Sequence, residues 1–292
     1  MAGRALGLDI RPPAGGTPGD PGLFGPGSMI WRVGRERVLL AAGPTALLLQ
    51  VAHPLVAEAV AHHSGFRQDP FARLRATLHS VLTISFGDRA QARAAAERVN
   101  ATHRRVRGHL ASGAGPFPPG TPYDATDPDL AMWVHATLVH KALESFALLI
   151  ASLTRQDRER YYEQAKPFAE LFGVPRTLMP PTYFEFRDYV DSMVSGRALS
   201  VGEEARGLAE HILHPPLPPA MKPAAAIARI LATGLLPGRL RQAFSLPWGA
   251  PQRALLAGTA RTVRATVSVL PPATRFWPHY QVARRRIRGD RG

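Results

Sequence analysis

The apolar stretch VLLAAGPTALLLQVAHPLVAEAVAHH, residues 38–63, decides the fold of this chain. Its first fifteen residues are almost all apolar, and Gly43 and Pro44 interrupt them. This run is shorter than the roughly 20 apolar residues that a membrane-crossing helix needs. The stretch therefore predicts helices that are buried in a globular core, over residues 34–50 and 54–63.

Apolar residues recur at helical spacing through the rest of the chain, without the sustained period-two alternation that is typical of strands. In the first half we predict further helices over residues 70–85, 88–112 and 127–153, with a turn-rich loop over 112–129. In the second half we predict helices over residues 155–172, 182–195, 203–213, 221–234 and 251–268. The proline-rich joints between these helices are short, so we predict an all-α fold: a single large helical domain with a C-terminal helical extension.

The N-terminal residues differ in composition from the rest of the chain. Residues 1–29 are rich in Gly and Pro and have few apolar side chains. This composition predicts a flexible leader ahead of one domain over residues 30–290. The leader lacks the basic start and apolar run of a secretory signal, so we expect a cytoplasmic protein without a transmembrane segment.

Charge and cysteine content restrict the possible partners and cofactors. The 292 residues include 36 basic and 22 acidic side chains, and the formal net charge is +14. Arginines are scattered along the chain rather than clustered on one predicted face, so we do not expect a nucleic-acid partner. Cysteine is absent, which excludes disulfides and thiolate ligands. A metal or haem must therefore be held by other side chains, such as histidine.

His103 is the histidine with the most informative position. In the predicted helix 88–112, Val99, His103, Val106 and Leu110 recur at the spacing of one helical face. A lone histidine on an apolar face is more often a hydrogen-bonded core residue than a metal ligand. A haem, however, needs such a residue, because neutral imidazole is its usual axial ligand and the macrocycle favours apolar walls. The spacing alone leaves both interpretations open.

Arg73 and Thr77 form a second candidate group. They are four residues apart in the predicted helix 70–85 and therefore share one face. Both can donate hydrogen bonds, either to dioxygen or to a haem propionate. The simpler interpretation is an arginine bonded to a helix end and a threonine bonded to its own backbone, and the spacing alone favours it.

The other histidines and the common short motifs exclude several functions. His53 precedes Pro54 at a predicted helix start, where capping or support of a neighbouring group is the expected role. His135 and His140 lie on different sides of the predicted helix 127–153 and do not form the histidine pair of an HExxH zinc site. No GxGxxG, GxxxxGK[ST] or GxSxG motif occurs, so these nucleotide-binding and hydrolase signatures are absent.

Three separated motifs resemble the catalytic domain that MpaB-type oxygenases share with latex-clearing proteins. They are RERVLLAAGPTALLLQVAHPLVAEAVAHHSGFRQDPFARLRAT at residues 35–77, FGDRAQARAAAERVNATHRRVRG at 86–108 and YDATDPDLAMWVHATLV at 123–139. A looser similarity continues through LFGVP and GLLPGRLR to the arginine-rich end. The resemblance covers about residues 30–290, and its motifs occur in the same order with similar gaps.

This resemblance implies a globin-like helical core that holds haem b. His103, in H-x-x-V-x-G, matches the proximal iron ligand of the family. Arg73 and Thr77, in R-L-x-x-T, match its polar pair on the distal side and are implied to act in catalysis as well as in cofactor binding. His135, in W-V-H-A-T, matches a histidine near the site, and His53 is a further candidate for supporting the cofactor.

The function implied by the resemblance is that of an oxidoreductase. Such an enzyme would use dioxygen to cleave or oxidise a hydrophobic small molecule that contains an alkene. One departure weakens the case for polyisoprene as the substrate, because Ala76 stands where latex-clearing members have a lysine. The alternative is a haem-binding or sensing protein without turnover, which the sequence does not exclude.

Overall fold

The computed structural model describes residues 10–65 and 69–289. It is 67% helical, with fourteen α-helices in the described residues and one sheet of two strands. The predicted all-α class is therefore confirmed, while the globin-like character of the core stays a prediction.

The first half of the chain has six α-helices and the second half has eight. Those of the first half are α1 (Met29–Gly34), α2 (Gly43–Val51), α3 (Pro54–His63), α4 (Pro70–Phe86), α5 (Arg89–His103) and α6 (Pro128–Leu149). Those of the second half are α7 (Arg155–Glu170), α8 (Tyr183–Ser195), α9 (Glu203–Leu213), α10 (Lys222–Leu235), α11 (Gly238–Ala243), α12 (Ala250–Val269), α13 (Pro272–Arg275) and α14 (Pro278–Arg288). Three 3₁₀ segments span Arg37–Ala42, Arg176–Leu178 and Pro219–Met221. Strands β1 (Arg107–His109) and β2 (Pro122–Asp124) form an antiparallel hairpin between α5 and α6.

The apolar stretch that decides the fold forms the centre of the core. Leu48, Leu49 and Val51 of α2 are fully buried, and α2 packs on α6, α9 and α10. The predicted helix 34–50 is divided at Gly43, where the 3₁₀ segment ends and α2 begins. Pro44 explains the division, because it has no backbone N–H and is tolerated only near a helix start. No single helix in the described parts of the chain has the length and apolarity to cross a membrane, although the bent pair Arg37–Val51 and Pro54–His63 meets that criterion jointly.

Helices α4 and α5 form a hairpin whose connection is only Gly87 and Asp88. Asp88 accepts a hydrogen bond from the backbone N–H of Gln91, and the Gln91 side chain accepts one from the backbone N–H of Asp88. This capping box fixes the start of α5. Because the connection is short and the two helices pack together, they run antiparallel, and the first turns of α4 meet the last turn of α5.

The prediction of one helix over residues 88–112 is wrong beyond His103, where α5 ends. The chain then enters β1, in which Gly108 pairs with Tyr123 of β2. A Cβ atom at Gly108 would lie 2.6 Å from the Tyr123 hydroxyl, so a side chain there would displace the Tyr123 ring. Val106 and Leu110 therefore do not continue the helical face of His103, and the apolar face inferred from the sequence is limited to α5 itself.

The C-terminal helices pack on α1 and α4. The guanidinium of Arg275 donates two hydrogen bonds, of 2.8 and 2.9 Å, to the carboxylate of Glu36, which is 1% exposed. The indole of Trp31 is fully buried and makes edge-to-face contacts with Phe86 and Tyr280, with ring centroids 5.5 and 5.7 Å away. These contacts attach the C-terminal extension to the beginning of the domain.

Residues 10–28 of the predicted leader also lie against these helices. Ile10 is buried in the cluster around Trp31. The backbone N–H of Thr17 donates to the Asp88 carboxylate at 2.8 Å, and that of Gly19 donates to the carbonyl of Arg286 at 2.9 Å. Residues 1–9 of the leader lie outside the described residues, and the boundary between leader and domain stays a prediction.

Candidate haem site

His103 is the last residue of α5 and is half-buried. Its ring centroid lies 6.2 Å from that of Phe172, which follows α7. Burial lowers the pKa of His103, and the positive charge of Arg73 lowers it further. The imidazole is therefore neutral at pH 7, which is the form that binds a metal.

Arg73 reaches this position from the first turn of α4. Asp69 caps that turn by accepting a hydrogen bond from the backbone N–H of Ala72 at 2.8 Å. Arg73 is half-buried, and burial lowers its pKa, yet a guanidinium remains charged at neutral pH. Thr77 lies one turn further along α4 and is exposed. The structure thus brings Arg73 into the neighbourhood of His103, while the Thr77 side chain is exposed to solvent.

His135 lies in the middle of α6 and is 6% exposed. Its ring stacks on Phe168 of α7, with centroids 6.3 Å apart and planes 23° apart. Burial lowers the pKa of His135 to about 4, so this ring is also neutral. Its Nε2 atom is buried and has no hydrogen-bond partner among the described residues, which is costly in a packed interior unless a ligand satisfies the atom.

Two phenylalanines connect the two histidines. The Phe168 and Phe172 rings are 5.4 Å apart, so His135, Phe168, Phe172 and His103 form a continuous series of ring contacts. We call Phe168 and Phe172 the aromatic bridge. Neither phenylalanine is among the predicted site residues, although their spacing of four indicates neighbours on one helical face. The bridge provides the apolar wall that a flat hydrophobic cofactor favours.

His53 lies in a different neighbourhood. It occupies the position before α3, but its side chain makes no capping hydrogen bond with the described residues. Of its two expected roles, the prediction of capping is therefore wrong. Its ring centroid is 5.2 Å from that of Phe117, and burial lowers its pKa to about 4, while Asp127 opposes that shift. The structure does not join His53 to the group around His103, and its support of a cofactor stays a prediction.

The chemistry of these residues fits a haem. Among residues 10–65 and 69–289, no three His, Asp or Glu side chains are grouped so that they could hold a metal ion. A haem does not need such a group, because the macrocycle supplies four ligands and the protein needs to supply only one imidazole. His103 can be that ligand, Arg73 can pair with a propionate or with developing negative charge, and His135 Nε2 is a buried polar atom that a bound group could satisfy.

Sequence comparison identifies the family of this all-helical domain. The family model described as "ER-bound oxygenase mpaB/B'/Rubber oxygenase, catalytic domain" matches residues 31–265. The match covers most of the chain, so the protein belongs to this family of oxygenase catalytic domains, as its motifs predicted.

Two curated proteins that are similar to this chain are mycobacterial. The uncharacterized protein Mb2261 of Mycobacterium bovis and the uncharacterized protein Rv2237 of Mycobacterium tuberculosis are each 29% identical to this chain over 216 residues. Each match spans 72% of this chain and 77% of the relative. No solved structure matches the chain significantly.

Proposed function

We propose that this protein is a haem b-dependent oxygenase in which His103 is the axial ligand of the iron. The observation that supports this proposal best is the half-buried, neutral His103 imidazole beside the Arg73 guanidinium, in a chain of an oxygenase family. His103 would hold the haem, and haem b would supply the activation of dioxygen when it is bound.

The side chains around His103 would then have separate roles. Arg73 donates hydrogen bonds to negative charge that develops during oxygen chemistry, and its partial burial strengthens this interaction. Thr77 is a second donor that requires its exposed side chain to turn toward the bound group. His135 Nε2 donates to or accepts from the cofactor or a water beside it, and the aromatic bridge excludes bulk water.

The substrate class that we propose is a hydrophobic small molecule with a carbon–carbon double bond. Cleavage of that bond by one molecule of dioxygen gives two carbonyl groups and needs no further atoms. The aromatic bridge favours an apolar molecule near His103, because its two phenylalanine rings offer no hydrogen bonds. Oxidation without cleavage would use the same residues.

The axial ligand can be tested by replacing His103 with alanine. The purified variant should lose most of its haem, measured as the Soret absorption per protein, while its circular dichroism keeps the helical signal. His109→Ala is the matched control, because His109 is exposed and lies only six residues away in β1. If His103→Ala kept full haem content with an unshifted Soret band, His135 or His53 would become the candidate ligand.

Turnover requires a separate measurement. Haem-loaded protein with a reductant should consume dioxygen when an apolar alkene is added, and carbonyl products should appear in proportion. A protein that binds haem through His103 but consumes no dioxygen with a broad panel of such alkenes would instead favour the haem-binding or sensing role.

A further inference from the structure

The charge of this chain is distributed very unevenly. Residues 211–289 contain twelve of the 36 basic side chains and none of the 22 acidic ones. At the average composition of the chain, a segment of this length would have about six acidic residues. The remainder of the chain, with 24 basic and 22 acidic side chains, is nearly neutral. Almost the whole net charge therefore belongs to the C-terminal helices.

Helices α10 and α12 carry four of these cations on their exposed sides. These are Lys222, Arg229, Arg253 and Arg261. The two helices pack together, and a Cβ atom at Gly234 near the end of α10 would lie 2.6 Å from Leu256 near the start of α12. Other cations of the segment have internal partners: Arg264 donates to carbonyls at the end of α6, and Arg275 pairs with Glu36. The four exposed cations Lys222, Arg229, Arg253 and Arg261 therefore lie on two helices that pack against each other.

Large apolar side chains are exposed on the same two helices. Ile227 of α10 is 42% exposed, and Leu255 and Val269 of α12 are 58% and 79% exposed. All the charged residues of α12 are arginines, and small apolar residues such as Ala254 and Ala265 are exposed between them. Exposed aliphatic side chains among cations, without acidic residues, are typical of helices that lie on anionic membranes.

We propose that α10 and α12 dock this protein on the surface of an anionic lipid membrane. The docking surface, which we call the C-terminal basic surface, consists of Lys222, Ile227, Arg229, Arg253, Leu255, Arg261 and Val269. Its cations pair with lipid phosphates, while Leu255 and Val269 enter the interfacial region. A nucleic acid would also attract the cations, but it offers no apolar layer for exposed aliphatic side chains. The proposal does not depend on haem binding or on turnover.

Sedimentation of the full chain with lipid vesicles tests this proposal. At about 0.1 M salt the protein should sediment with vesicles of phosphatidylcholine that contain phosphatidylglycerol, and not with phosphatidylcholine alone. Each cation near such a surface contributes about a fivefold factor in binding, so Arg229→Glu with Arg261→Glu should weaken binding at least 25-fold. Arg206→Glu, an exposed site on α9, is the matched control and should leave binding unchanged.

The apolar contribution is tested by Leu255→Asp with Val269→Asp, which should weaken vesicle binding at least tenfold. Phe184→Asp on α8 is its control, because Phe184 is 65% exposed but lies outside the C-terminal basic surface. Circular dichroism verifies that each variant keeps its helical content. The proposal is overturned if the protein does not sediment with the anionic vesicles, if neutral vesicles bind it equally, or if either double variant binds like its control. Tighter binding to single-stranded RNA than to the anionic vesicles at the same salt would also overturn it.

Discussion

Replacing His135 by leucine should stabilise the haem-free protein and weaken its binding of haem. The Nε2 atom of His135 is buried without a hydrogen-bond partner in residues 10–65 and 69–289, which costs about 1–3 kcal/mol relative to an apolar group of the same shape. Leucine has nearly the volume of histidine, so little repacking is needed, although the stacking on Phe168 is lost at a cost of about 0.5–1 kcal/mol. The expected net gain in the free energy of unfolding is about 1 kcal/mol at pH 7.5.

The gain should be larger at acidic pH, because of the pKa of His135. Burial lowers this pKa to about 4 from its ordinary value of 6.5. Between these two values the unfolded chain binds a proton that the folded protein does not, so the wild type loses stability as the pH falls from 6.5 toward 4. At pH 5 this loss is about 2 kcal/mol. The leucine variant has no such titrating group and does not lose this stability. The difference in free energy of unfolding between the variant and the wild type should therefore grow by about 2 kcal/mol between pH 7.5 and pH 5.

Urea denaturation of the haem-free proteins at both pH values measures the stability, and haem titration followed by the Soret band measures the affinity. His279→Leu is the matched control: both ring nitrogens of His279 are buried without hydrogen-bond partners in the described part of the chain, and burial lowers its pKa to about 4. This control should show the same pH-dependent gain with unchanged haem affinity. An advantage of His135→Leu that is equal at both pH values would refute the electrostatic reasoning. Unchanged haem affinity would remove His135 from the site.

Three further variants or measurements test other parts of the structure. Arg73→Ala should lower oxygenase turnover about 10²- to 10³-fold while the protein retains its haem, as expected for the loss of one positioned hydrogen-bond donor. If the variant loses haem instead, Arg73 pairs with a haem propionate. Arg275→Ala should lower the free energy of unfolding by about 2–3 kcal/mol, because it removes two hydrogen bonds from the buried Glu36 carboxylate and leaves Arg35, whose Nε lies 3.5 Å from Glu36 Oε1, as its cationic neighbour. Urea denaturation measures this loss, and an equal loss in Arg275→Lys would show that the paired hydrogen bonds are irrelevant. Backbone amides of residues 1–29 should exchange with deuterium faster than those of α2, because the leader is rich in Gly and Pro and α2 lies at the centre of the core. Protection equal to that of α2 would show that the leader is part of the domain.

Helices were predictable from the sequence where local signals agreed. The predicted helix 54–63 coincides with α3, because Pro54 favours a first turn and the apolar periodicity is regular. The end of α5 was not predictable in this way. Val106 and Leu110 keep helical spacing with His103, but their segment instead pairs with β2, and such pairing depends on residues that are distant in the sequence.

The candidate site shows the same limit. Arg73 and His103 come together because α4 and α5 are joined by two residues, and both helices were predicted. The connection of His135 to His103 depends on how α7 packs, which no periodicity specifies, so the aromatic bridge was missed. The exposure of Thr77 likewise results from packing, since spacing alone placed it on the face of Arg73.

The contact between Glu36 and Arg275 has a consequence for protein synthesis. The two residues are 239 positions apart, and ribosomes add roughly 5–20 residues per second, so Glu36 leaves the ribosome some 10–50 s before its partner is made. During that interval the indole of Trp31 also lacks Tyr280, which covers it in the folded protein. The nascent chain therefore exposes this part of its core until translation is nearly finished, and a chaperone that holds the first helices would act in that interval.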